Sequence, residues 1–282
     1  MQDSILQPDG LITPEVGAWS KDKYKLVSLY SSLFATGMKH KWEQRIFVDL
    51  YSGAGIARIK DNSELVMGTT LIGLTVKDPF DHYIFCDEDP NKIEALKLRA
   101  QRFAPHQHAD FVVGDANEAV ELIAGMIPSA GPDRRVLSLC IVDPYDIGIR
   151  FATIRKLAEK RLIDFLVLLA VYMDANRNYG NYMKASNTKV ENFLGLPNWR
   201  QAWHEQEQRG VPFPDFLATQ FSAQMGELGY LDQPLYKMKT VRSDEKNLRL
   251  YRLALFSRNL RAYEFWDEVL KYSTSQRKLF GE

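Results

Sequence analysis

The chain has 282 residues, 45% hydrophobic and 26% charged, and its 36 basic and 36 acidic side chains cancel to a formal net charge of zero. This suits one large α/β domain with an appendage, and it excludes extended disorder, collagen-like repeats and global attraction to a polyanion. No apolar run approaches a bilayer span, residues 1–15 lack the basic and apolar regions of a secretory signal, and two cysteines leave zinc short of ligands. The expectation is a cytoplasmic protein with no membrane partner, in which Cys86 and Cys140 are reduced core thiols.

In chain order, residues 1–45 read as an N-terminal helical extension and 46–282 as the main domain. Residues 46–51 form the first strand, an apolar run suited to burial on both faces. A helix over 66–77 follows, then a strand at 82–87, an amphipathic helix at 90–103 with Pro90 in its first turn, and a short strand at 110–113. Helix 116–126, strand 136–143, helix 151–160 and strand 163–171 complete five βα repeats. Such alternation predicts a doubly wound, mostly parallel Rossmann-like sheet. Residues 172–212 interrupt it with polar and aromatic sequence, with helices near 182–194 and 199–208, and read as an inserted substrate-recognition segment. A helix at 213–229 then leads to strands at 235–241 and 248–257 joined by a charged turn over 242–247. That ending inserts an antiparallel strand, and by analogy the ordering resembles that of class I methyltransferases, where a plain dinucleotide domain usually continues with a parallel strand.

The most informative stretch is I-F-V-D-L-Y-S-G-A-G, residues 46–55. Gly53 and Gly55 let the backbone turn tightly and approach a ligand without a Cβ in the way. The dinucleotide fingerprint requires a third glycine, and Arg58 stands in its place. A carboxylate at Asp49 suits a cationic ligand, because it accepts a hydrogen bond from an ammonium group and repels a pyrophosphate. The order D-x-x-x-G-x-G therefore favours S-adenosylmethionine over NAD, with Tyr51 and Ser52 as further contacts inside the turn.

Ligands of open α/β sheets bind beyond the carboxyl ends of the strands. The second strand closes in F-C-D-E-D-P, where Asp87, ahead of Glu88, is placed to hold ribose hydroxyls. The third closes in G-D-A-N: Asp115 suits the adenine amino group and Ala116 leaves room for the ring, while capping of the next helix is the competing role for Asp115. The fourth closes in V-D-P-Y, placing Asp143 beside the methyl group, Pro144 as a rigid element and Tyr145 as a ring face. Amine methylating enzymes use a D/N-P-P-Y/F/W motif there, one residue longer than the D-P-Y of this chain; an ordinary Asp-Pro turn is the competing reading.

Together the W-S-K-D-K-Y-K-L-V-S-L-Y helix, V-D-L-Y-S-G-A-G, M-G-T-T, F-C-D-E-D-P, V-D-P-Y and the late Y-R-L-A-L-F-S strand resemble the three-Cys-motif partner proteins of bacteria and phages. The resemblance covers most of the chain. Tyr51, Ser52 and Ala54 depart from that family's aromatic-rich D-x-F-A-G-x-G turn. It implies a methyltransferase-like fold and a genomic partner bearing three cysteines, and no particular reaction.

Two basic stretches carry interleaved aromatics. In the first, Lys21, Lys23, Lys25, Lys39, His40, Lys41 and Arg45 alternate with Trp19, Tyr24, Tyr30 and Trp42, though Leu26, Leu29, Tyr30 and Leu33 equally suit a helix packed on the sheet. In the second, Arg177, Lys184, Lys189, Arg200 and Arg209 alternate with Tyr179, Tyr182, Trp199 and Trp203, and this insertion is the stronger candidate for binding a nucleic acid. The resulting expectation is an S-adenosylmethionine-dependent methyltransferase acting on an amine of a nucleic acid or nucleotide. The competing expectation is a non-catalytic, cofactor-binding subunit of a three-cysteine protein.

Overall fold

The computed structural model describes residues 6–131, 134–243 and 248–279, with side chains to residue 272. The elements begin with β1 (Glu15–Val16), α1 (Ser20–Met38), β2 (Gln44–Asp49), β3 (Ile56–Ile59), β4 (Leu65–Met67) and α2 (Thr69–Leu74). Next come β5 (His82–Asp87), α3 (Pro90–Phe103), β6 (Ala109–Val113), α4 (Val120–Met126), β7 (Val136–Val142), α5 (Phe151–Ala158) and β8 (Ile163–Leu169). Helices α6 (Met173–Tyr182), α7 (Lys189–Leu194), α8 (Trp199–Glu207) and α9 (Phe213–Glu227) precede β9 (Lys239–Arg242), β10 (Arg249–Phe256) and α10 (Leu260–Leu279).

Seven strands form the main sheet in the order β6-β5-β2-β7-β8-β10-β9. The first five are parallel, and β10 runs antiparallel to both β8 and β9. This is the mixed α/β sheet of the class I methyltransferase fold, with the expected C-terminal hairpin. Every residue of β7 and β8 is buried, as near-continuous apolar runs require when helices cover both faces. Cys86 and Cys140 are buried free thiols in β5 and β7, and burial pushes the Cys86 thiol up to about 12.

Local chemistry explains several boundaries. Asp89 accepts from the Asn91 amide at 2.9 Å and so caps α3, whose first residue is Pro90. The residues before β2 do not stand apart: α1 buries Leu26, Tyr30 and Phe34 against the sheet, and Tyr30 meets Trp266 of α10 edge-on at 5.8 Å. Gly37 permits the close crossing, since a Cβ there would lie 2.5 Å from Phe265 Cζ.

Several expectations are corrected. Leu65–Met67 is a strand, not the start of a helix; it pairs with β3, and β3 pairs with β1, giving a small second sheet. Such short strands carry too few residues for a readable period; β3 and β4 pair as a local hairpin, and β1 joins them from about 43 residues earlier. Residues 182–194 are not one helix but the end of α6, a linker and α7. Residues 235–237 form a 3-10 turn ahead of β9. Helix α10 was not anticipated; its apolar face packs on α1. Of the charged turn predicted over 242–247, residues 244–247 lie outside the described residues, as do residues 1–5 of the N-terminal segment. Among the described residues, no helix is long and apolar enough to cross a membrane.

Candidate cofactor and acceptor site

Because β2, β5, β6 and β7 are parallel, the residues after their carboxyl ends gather on one side of the sheet. There they line a cavity of about 540 Å³. Tyr51, Ser52, Gly53, Gly55, Asp87, Glu88, Asp115, Ala116, Asp143, Pro144 and Tyr145 all line it. The small sheet and α1 form the facing wall through Val16, Trp19, Lys23 and Tyr24.

Asp49 is the exception among the sequence candidates. Its side chain is fully buried behind the turn and is not part of the cavity wall. It accepts from Thr69 Oγ1 at 2.5 Å and from the Tyr51 amide at 3.1 Å, while Thr70 shares its hydroxyl between Asp49 and the Ser52 carbonyl at 3.3 and 2.7 Å. Burial pushes this carboxyl up to about 7, although the Thr69 bond pulls the other way. Asp49 thus joins the M-G-T-T segment to the glycine turn.

The turn depends on positive φ at Gly53 (+61°) and Gly55 (+81°). A Cβ on Gly55 would lie 2.9 Å from Leu96 Cδ1 and 3.1 Å from Leu71 Cγ, so the second glycine is needed for packing. A Cβ on Gly53 would meet nothing within 4 Å, which leaves its face open on the cavity. Buried Arg99 secures the turn from behind. It donates to the Ala54 carbonyl at 2.6 Å and pairs with Asp9 at 2.8 Å, which holds the N-terminal segment against the loop.

Asp87 is 8% exposed. It accepts from the Gly53 amide at 3.0 Å, the Asp89 amide at 3.0 Å and Lys92 Nζ at 3.2 Å. Lys92, a residue the motifs did not single out, therefore enters the cavity from the first turns of α3. Asp115 Oδ1 accepts from the Asn117 and Glu118 amides at 2.9 and 3.2 Å; it closes a turn ahead of α4, which starts at Val120 with Ala119 at its N-cap and not at residue 116, and it also lines the cavity.

Asp143 has an unanticipated partner. Lys23, 120 residues earlier on α1, places Nζ 2.5 Å from Asp143 Oδ2, with side chains 11% and 14% exposed. Burial raises the Asp143 carboxyl, and Lys23 opposes that rise. Burial alone would lower Lys23, but Asp143, with Tyr24 and Tyr251, holds it well above its ordinary value, so Lys23 keeps its proton. Its ammonium also lies 4.7 Å from the centre of the Tyr24 ring. No motif spacing could reveal this pair, because only the docking of α1 creates it. Tyr145, by contrast, stands 80% exposed at the rim.

The insertion is a correction. Trp199 is fully buried and Trp203 nearly so, and Trp203 packs 4.9 Å from Phe213 of α9. Arg200 donates to the carbonyls of Tyr182, Lys184 and Asn187 and lies over Trp199. Tyr182 is buried, with its hydroxyl on Asp174 at 2.7 Å. These rings belong to the core on one face of the sheet and offer no stacking surface. At the N-terminus, Lys21, Lys39 and Arg45 pair with Glu64, Asp78 and Asp81, so that basic stretch is largely neutralised.

The cavity is lined by six carboxylates (Glu15, Asp87, Glu88, Asp115, Asp143, Asp146) and three lysines (Lys23, Lys60, Lys92). That balance favours a cationic ligand over a pyrophosphate. Ser52 Oγ is buried in this wall without a hydrogen-bond partner, and a ligand would supply one. The open face of Gly53, the orphan hydroxyl and the acidic lining all fit a ribose-bearing cation.

No family model matches the chain, and no curated protein matches it. Solved structures do. The cofactor-bound Rv0187 protein from MTB is 13% identical over 86% of this chain and 82% of its own, with a TM-score of 0.46. Trm1 from Pyrococcus horikoshii, solved with S-adenosyl-L-methionine, is 10% identical over 92% of this chain and 61% of its own, with a TM-score of 0.44. Magnesium protoporphyrin IX methyltransferase from Synechocystis, with bound SAH, is 9% identical over 86% of this chain and 88% of its own, with a TM-score of 0.40. The sheet order, not these likenesses, assigns the fold.

Proposed function

We propose that the cavity is an S-adenosylmethionine site and that the chain is a methyltransferase acting on an amine of a nucleic acid or nucleotide. The observation that carries this reading is the convergence of the glycine turn with Asp87, Asp115 and Asp143 on one acid-rich cavity beyond the parallel strand ends. Tyr51, Ser52, Gly53, Gly55, Asp87, Glu88, Asp115 and Ala116 would hold the cofactor, and Asp143, Pro144 and Tyr145 would form the acceptor side.

When bound, S-adenosylmethionine supplies an already activated methyl group, so the protein contributes mainly positioning. Asp87 is pre-oriented for ribose hydroxyls by the Gly53 and Asp89 amides and by Lys92. Asp143 can accept an amine hydrogen and keep the nitrogen lone pair directed inward, provided the acceptor shares or displaces the Lys23 contact. Tyr145 offers a free ring face at the rim for a planar base. The acidic wall admits a neutral base and rejects phosphate, so a polymer would present its base alone, turned out of the stack.

Calorimetric titration with S-adenosylmethionine, S-adenosylhomocysteine and NAD tests the cofactor: the first two should bind and NAD should not. Tritiated methyl transfer to total DNA, tRNA and rRNA tests the reaction. One observation favours a second reading, a non-catalytic cofactor-binding subunit of a three-cysteine protein: Lys23 already occupies the carboxylate that would orient an acceptor. Cofactor binding with no transfer to any of the three pools would select it.

A further inference from the structure

A second cavity, of about 150 Å³, lies at the opposite end of the sheet, where β7 and β8 begin. Phe34, Met38, Trp42, Leu137 and Phe265 give it an apolar wall, and Tyr30, Asp164, Ser257, Arg258, Asn259 and Arg261 are its polar members. We propose that this cavity is a binding site for a small ring-bearing molecule with a single hydrogen-bond donor, of which phenol is the simplest probe.

Three observations support this independently of the proposed reaction. The volume is that of a cavity able to enclose about one benzene ring, and the wall supplies aromatic and aliphatic contacts. Second, hydrogen-bonding capacity there is left over. Asp164 is 6% exposed and is hydrogen-bonded by Ser257, whereas a carboxylate offers about four acceptor positions. The Tyr30 hydroxyl is buried with no partner. Third, the neighbouring cation does not use that capacity. Arg258 spends its donors on the carbonyls of Ala158, Arg161 and Leu228 and stacks on Tyr230 at 4.4 Å. A donor-bearing ring would satisfy Asp164 while filling the apolar space.

The other groups around Asp164 are accounted for. Tyr230 donates to the Ile163 carbonyl at 3.0 Å, Tyr263 to the Leu231 carbonyl at 3.2 Å, and Arg261 at the cavity wall pairs with Glu264. Burial pushes the Asp164 carboxyl up to about 7, so raising the pH through that value increases its strength as an acceptor. Tyr30, Tyr230 and Tyr263 stay neutral, each held above its ordinary value by burial.

The test compares phenol with toluene, the same ring without the donor, by calorimetry and by chemical-shift perturbation on the full chain. Phenol should bind roughly tenfold more tightly than toluene, with the ratio rising from about pH 6 to about pH 8. Asp164→Leu should reduce the ratio to near one. Tyr30→Phe, which removes only the hydroxyl, should lower it a few-fold and covers the case in which the first variant does not fold. Equal binding of the two rings, or no binding of either because the cavity holds only water, overturns the proposal.

Discussion

Lys23→Met is the most informative single change, because it removes a charge and retains most of the side-chain stem. The Lys23–Asp143 pair is 2.5 Å long, and both side chains are less than one-sixth exposed. Breaking a buried pair from one side costs about 3–5 kcal/mol, since the remaining charge keeps its desolvation penalty. The pH dependence follows from the carboxyl. Burial already raises Asp143, and without Lys23 it rises further, so the native state holds a proton that the unfolded chain releases. The variant's deficit should therefore be largest near pH 8 and shrink toward about pH 4, by at most about 1.4 kcal/mol per pH unit. Urea denaturation of the wild type, Lys23→Met, Asp143→Asn and the double variant at about pH 8 and about pH 5 measures this, and the double variant should recover part of the loss. A deficit below about 1 kcal/mol that is equal at both pH values would refute the reasoning, because exposed, screened pairs behave that way.

Gly55→Ala should cost about 1–3 kcal/mol in thermal or urea unfolding, from its φ of +81° and the approach to Leu96 and Leu71, and Gly53→Ala should cost less, since no atom lies within 4 Å of the added carbon. Asp49 is raised from 3.8 to about 7, so the stability it contributes is present below about pH 4 and lost as pH rises through about 7. Asp49→Asn should make the stability profile less steep across that range; Asp164, shifted in the same direction, leaves some slope, and an unchanged profile would count against the assignment. Tyr145→Ala, at a side chain 80% exposed, should leave stability within about 0.5 kcal/mol. It should raise the acceptor KM roughly five- to tenfold with cofactor affinity unchanged; weakened cofactor binding instead would move Tyr145 out of the acceptor role.

The readable part of this protein is its local chemistry. Strand 82–87 and helix 90–103 match the structure residue for residue, because an apolar run ending in acids, a capping Asp and a Pro at the first helical position act within a few neighbours. The glycine turn and the acids at 87, 115 and 143 were visible for a related reason: in a parallel sheet the residues ending successive strands must meet. The function of Asp49 was less legible. Its position in the motif is that of a ligand-facing carboxylate, yet Thr69 and Thr70, 20 residues on, take it into the interior.

Local pattern therefore determined the parallel α/β framework and the antiparallel hairpin, and it gathered the candidate residues on one side of the sheet, since each depends on the direction of a strand. The tertiary structure decided which groups face one another. Docking of α1 brings Lys23 to Asp143, and packing of α8 on α9 turns Trp199 and Trp203 from candidate stacking rings into core. These partnerships have no fixed spacing in the sequence and arise only when separate elements bury each other.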